Sequence, residues 1–113
     1  MEKVRHLVFW NIKGESEAEK ARRAAMIKNS LEGLRGLIPG VIEINVYRLS
    51  NLNDKSSTRE IMLDSLFESR EALENYQGHP EHKKAGVTVV ENTEPGSRVC
   101  ADYYSDQAKI LFS

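Results

Sequence analysis

Cysteine is almost missing from this chain: Cys100 stands alone among 113 residues, so no intramolecular disulfide forms and packing alone must hold the fold, as suits a reducing, cytoplasmic setting. An excess of either charge is missing too. Sixteen Lys and Arg meet seventeen Asp and Glu, a net charge of -1, so no positive field draws in phosphate backbones or anionic lipid, and nucleic acid and membrane are not expected partners. No apolar run approaches the ~18 residues of a transmembrane helix, and Met1-Glu2-Lys3-Val4-Arg5-His6 is broken by charge. A glycine-rich phosphate loop is absent as well. Gly33-Leu34-Arg35-Gly36 falls in or at the end of a helical stretch instead of after a strand, which removes nucleotide binding from consideration.

What remains is a mixed composition, 40% hydrophobic and 29% charged, at a length suited to one core. Residues 1–105 read as a single domain and 106–113 as a tail without an assigned structure. Val4 to Ile12 is rich in β-branched and aromatic residues; alternation sets Val4, His6, Val8, Trp10 and Ile12 on one face and Leu7 and Phe9 on the other. Ser16-Glu17-Ala18-Glu19 has the spacing of a helix start in which the end side chains satisfy free amides. The stripe Ala24, Ile27, Leu31, Leu34 and Ile38 then predicts one long helix, stopped by Pro39-Gly40.

Val41 to Leu49 is a second strand with Ile42, Ile44 and Val46 on one side; the polar segment 50–57 is a loop; Thr58 to Phe67 is a third strand. Ser69 caps a short helix through Tyr76, with Gly78 as its left-handed exit, and Pro80 opens another helix with His82, Ala85 and Val89 on one stripe. Arg98 to Tyr104 is the last strand. The order is α+β, a ferredoxin-like β-α-β-β-α(α)-β subunit with a four-stranded antiparallel sheet. Helices cover one face of such a sheet only. The other face, carrying Leu7 and Phe9, is too apolar to stay wet, so the expected partner is a second copy docked sheet to sheet, an interface on the order of 2,000 Å² or more.

Three histidines exist, and two share a predicted inner side: His6 on the first strand and His82 on the last helix, with Tyr76 one turn before. A half-buried imidazole exchanges protons near neutrality and a phenol donates to a developing oxyanion, which suits proton abstraction beside a carbonyl. Taken singly, each is more often structural: a lone histidine on an apolar strand face is usually a satisfied core residue, and Tyr76 a core aromatic. His79 reads as a cap before Pro80. His79-x-x-His82 has no Cys, Asp or Glu to complete a metal set, so no metal and no cofactor are expected, and Cys100 reads as a small buried hydrophobe.

Val4-Arg5-His6-Leu7-Val8-Phe9-Trp10, Leu37-Ile38-Pro39-Gly40-Val41, Phe67-Glu68-Ser69-Arg70-Glu71-Ala72-Leu73, Arg98-Val99-Cys100-Ala101-Asp102-Tyr103 and above all Tyr76-Gln77-Gly78-His79-Pro80-Glu81-His82 resemble the stress-responsive A/B barrel domain (Dabb) over roughly residues 3–104. That resemblance implies a dimeric α+β barrel. It also implies site residues, because a plant polyketide cyclase of the family has a catalytic histidine, a supporting tyrosine and a first-strand histidine at the positions of His82, Tyr76 and His6. The segment before Pro39 shows no likeness to that enzyme, so its substrate is not implied. The expected function is a homodimer of unassigned role binding a small hydrophobic or aromatic ligand between sheet and helices, in a cleft lined by Val4, Val8, Leu31 and Val89. The alternatives are a cofactor-free cyclase or lyase using His82 as base with Tyr76 and His6, and a cofactor-free monooxygenase of the kind found among other dimeric α+β barrels.

Overall fold

The computed structural model describes residues 2–53 and 59–106, in which β1 (Val4–Trp10), α1 (Glu17–Glu32), β2 (Val41–Arg48), β3 (Ile61–Phe67), α2 (Arg70–Gly78), α3 (Pro80–Asn92) and β4 (Val99–Tyr104) follow in chain order. The strands form one antiparallel sheet, β2-β3-β1-β4, as the ferredoxin-like reading requires. Residues 107–113 of the expected tail and 54–57 of the expected loop at 50–57, together with Thr58, lie outside the described residues.

Alternation in β1 is obeyed: Val4, His6, Val8 and Trp10 are buried under the helices while Arg5, Leu7 and Phe9 face away. Ile12, past the strand, is held by a single bridge to Thr93. Ser16 caps α1 by accepting from the Glu19 amide at 3.1 Å. The helix ends at Glu32, earlier than its apolar stripe predicts. Beyond it the amides of Leu34, Arg35 and Leu37 bond three residues back, and Gly36 takes a φ of +75°, so the chain leaves α-geometry while Leu34 and Ile38 stay buried. A 3.6-residue period does not distinguish a helix from a series of tight turns that keeps the same side inward.

In β2 the pairing slips between Val41 and Glu43, leaving Ile42 as the extra residue of a bulge and 42% exposed, whereas Ile44 and Val46 point into the core. Its free edge is covered from α1 and the turns after it: Lys28 donates to the Val46 carbonyl, Glu32 accepts from the Val46 amide and, past the helix end, Arg35 donates to the Ile44 carbonyl. Ser69 caps α2 through the Ala72 amide. Gly78 is not a left-handed exit; α2 runs through it, and His79, with extended backbone, ends α2 and caps α3 at once.

The helices cover β1, β2 and β3 but stop short of β4, all six residues of which are exposed. On the face away from the helices, Tyr47, Val99 and Tyr103 are 49%, 44% and 44% exposed; Tyr47 pairs with Met62, Met62 with Phe9 and Phe9 with Val99, while Tyr103 pairs with Arg5 and Leu7 lies between Asp64 and Ala101.

Candidate functional site

Between β1, β3 and α3 lies a cavity of about 160 Å³, lined by His6, Val8, Trp10, Leu31, Leu63 and Val89, with His82, Gln77 and Arg98 supplying polar groups beside Gly86 and Val90. An apolar cavity of ~150 Å³ holds a molecule the size of benzene. His6 reaches the cavity because even-numbered β1 residues face inward, His82 because it shares the α3 stripe with Ala85 and Val89. Val4, expected among the lining residues, opens instead on a larger depression of about 450 Å³ with Leu73, Gln77, Asp102 and Tyr104. Val4 lies two residues, about 7 Å, beyond His6 along β1 and so past the end of the cavity.

Tyr76 is fully buried and sits behind His82, not on the cavity wall. Its ring bridges inward contacts, with centroids 4.9 Å from Phe67 and 4.4 Å from His82, and Phe67 in turn lies edge-on to His6 at 6.2 Å. Neither the Tyr76 hydroxyl nor His82 Nδ1 has a hydrogen-bond partner among the described residues. Burial pushes the Tyr76 phenol above its ordinary value. Burial also holds the His82 imidazole below its ordinary value; a hydrogen bond to the Gln77 backbone opposes this, while the nearby His6 ring and the Arg98 guanidinium reinforce it. His82 therefore faces the cavity as a neutral ring at neutral pH.

His6 is only 3% exposed, and its Nδ1 lies 2.5 Å from Oδ1 of Asp102, its direct partner across the β1–β4 ladder. A carboxylate only accepts, so the imidazole carries its proton on Nδ1 and leaves Nε2 as an acceptor. Cys100 Sγ lies 3.7 Å from the same Nδ1. Against the expectation of a small buried hydrophobe, Cys100 is exposed, because no helix extends over β4. Partial desolvation, then the charge of Asp102, raise its thiol above the ordinary value, with Arg98 drawing it back. Asp102, Arg98 and Gln77 were not singled out in the sequence. Arg98, Cys100 and Asp102 alternate on one face opposite His6, a signal that becomes visible only when β4 is paired with β1. His79 caps α3 as expected, its Nδ1 accepting from the Glu81 amide at 3.1 Å.

The profile described as Stress responsive A/B Barrel Domain matches residues 4–105. Among solved structures, a dimeric protein of unknown function and ferredoxin-like fold from Bacteroides fragilis NCTC 9343 is 30% identical with a TM-score of 0.76, covering 90% of this chain and 95% of that one. A dimeric ferredoxin-like protein of unknown function from Jannaschia sp. CCS1 is 25% identical with a TM-score of 0.75, over 89% of this chain and 97% of its own. The hydroxynitrile lyase of Passiflora edulis shares the fold, at 21% identity and a TM-score of 0.68, over 91% and 93% of the two chains. No curated protein matches significantly. Among the described residues no helix is long and apolar enough to cross a membrane.

Proposed function

Since the chain belongs to the stress responsive A/B barrel domain family, we propose that it works as a sheet-to-sheet homodimer that binds one small apolar or aromatic molecule in the cavity between β1 and α3. The dimeric neighbours support the assembly, and the sheet face the helices leave uncovered, with Tyr47, Val99 and Tyr103 exposed and Leu7, Phe9 and Met62 half-buried, supplies the surface. The single observation that carries the ligand reading is the cavity itself: two imidazoles, from opposite walls, converge on a space of one-ring size whose walls are largely apolar, with Gln77 and Arg98 as its other polar groups.

That convergence also favours a second reading, lyase-type or cyclase-type proton transfer. His82, kept neutral by burial, is the base; Tyr76 fixes the plane of its ring from behind; His6, backed by Asp102, receives or returns a proton at the far wall. Tyr76, its ring tilted against that of His82, then acts as a positioning residue and not as an oxyanion donor.

The two readings separate experimentally. Imidazole resonances followed by NMR during titration with benzaldehyde and acetophenone are expected to shift for both His6 and His82, and Leu31→Trp, which fills the cavity, is expected to abolish the shifts. Unshifted imidazoles at millimolar ligand overturn the binding reading. Faster exchange of the acetophenone methyl protons in D2O, lost in His82→Gln with binding retained, supports the proton-transfer reading; exchange at the buffer rate overturns it.

A further inference from the structure

His6, Cys100 and Asp102 bring one nitrogen, one sulfur and one carboxylate oxygen within 4.8 Å of one another, and from this geometry we propose a site for a single zinc-class divalent cation at the seam of β1 and β4. The site shares His6 with the cavity but uses neither His82 nor any apolar lining residue, so it does not depend on a ligand being bound there.

Strand register places the donors. His6 pairs with Asp102 and Val8 with Cys100, so the two β4 residues flank His6 on the inner face, one directly opposite and one on the diagonal. Zinc holds nitrogen at about 2.0–2.1 Å, sulfur at about 2.3 Å and carboxylate oxygen at about 2.0–2.2 Å in tetrahedral order, so donor atoms of a filled site stand roughly 3.3–3.7 Å apart. The observed Nδ1–Sγ distance is 3.7 Å, already at that spacing. Nδ1–Oδ1, at 2.5 Å, must open by about 1 Å. Asp102 is able to supply that movement, its side chain being 47% exposed on the wall of the depression beside α2, while the buried His6 stays fixed.

The donor chemistry selects the ion. A thiolate and an imidazole beside one carboxylate suit a borderline-soft cation, not magnesium or calcium, which take oxygen. On binding, the Cys100 thiol releases its proton to solvent as the sulfur–metal bond forms. His6 gives up its Nδ1 proton to solvent as that nitrogen bonds the metal, and takes one from solvent on Nε2, so the ring stays neutral with its proton moved to the other nitrogen. The fourth position faces the uncovered side of β4 and takes water. Metal occupancy therefore removes Nε2 of His6 as a proton acceptor, so filled and empty forms differ in what His6 offers the cavity.

The test is titration of the untagged full chain, freed of metal by chelator and kept reduced, with Co²⁺. The expected result is a thiolate-to-cobalt band in the near ultraviolet together with intense visible bands of tetrahedral cobalt, saturating at one ion per chain. Cys100→Ser is expected to remove the near-ultraviolet band, and Asp102→Asn to weaken binding by about tenfold or more. Absence of the bands, or their survival in Cys100→Ser, overturns the site. A second measurement needs no variant: Cys100 is the sole cysteine, so its alkylation by iodoacetamide reports the site directly. Stoichiometric Zn²⁺ is expected to slow alkylation at least tenfold, and an unchanged rate overturns the proposal even if both variants fail to fold. Loss of benzaldehyde binding would leave this outcome untouched.

Discussion

The rings of Tyr76 and His82 meet at a centroid distance of 4.4 Å and an interplanar angle of 57°, and each carries a polar atom with no partner among the described residues. The contact is apolar in kind: the phenol contributes its ring and bulk, and its hydroxyl makes no hydrogen bond among the described residues.

Tyr76→Phe is accordingly expected to be neutral or to stabilise the protein by about 1 kcal/mol in urea unfolding, because it removes a desolvated hydroxyl while keeping the ring. Tyr76→Ala, which removes the ring from between Phe67 and His82, is expected to destabilise by about 3–5 kcal/mol. A loss above about 1 kcal/mol in the phenylalanine variant would show that the hydroxyl has a partner, bridged by water.

Acid sensitivity follows from His82. Its folded-state affinity for protons lies below that of a free imidazole at 6.5, so between the two values the unfolded chain binds more protons and folding stability falls as pH drops below 6.5. The groups near it, His6 and Arg98, press in the same direction. Urea midpoints measured between pH 7.5 and 5.5 are expected to decline in the wild type and to decline less steeply in His82→Gln; equal slopes would refute the assignment.

Gly40 is held at a φ of +88°, and a Cβ placed there would lie 2.5 Å from the Ala72 Cβ. Gly40→Ala is expected to lower stability by at least ~1–3 kcal/mol from backbone strain, with the clash against α2 in addition. Gly40→Ala combined with Ala72→Gly is expected to recover only the clash. Thermal unfolding of the two variants separates them, and full recovery would mean that the backbone carries no strain.

Phe9 stands on the central strand of the uncovered face, paired with Met62 on one side and Val99 on the other. Phe9→Asp would bury a carboxylate in the expected dimer seam, and light scattering at micromolar protein is expected to report the mass of one chain. A variant that keeps twice the chain mass would move the interface to another surface.

Much of this was legible in sequence because it depends on local alternation and capping. Inward Val4, His6 and Val8, the Ser16 and Ser69 caps and the Pro80 start needed only near neighbours. The family signature at Tyr76 to His82 gave two of the candidate residues. What sequence did not reveal depended on register or on layer edges: the bulge at Ile42 exists only relative to β3, the early end of α1 lies in tight turns that preserve its stripe, and the exposure of Cys100 follows from where the helices stop. Asp102 belongs to the site solely because β4 aligns it with His6. Pairing between strands so far apart in sequence leaves no periodic trace in either one.

That alignment joins residues 96 positions apart, one on the first strand and one on the last. During synthesis at ~5–20 residues per second, His6 emerges many seconds before its carboxylate, and the nascent chain presents an unsupported imidazole beside an open sheet edge. A ribosome stalled before residue 99 would therefore yield a polypeptide holding His82 and Tyr76 but without the His6–Asp102 couple, inert in any chemistry that needs it. The order of translation itself makes the docking of β4 the step that completes the His6–Asp102 pair.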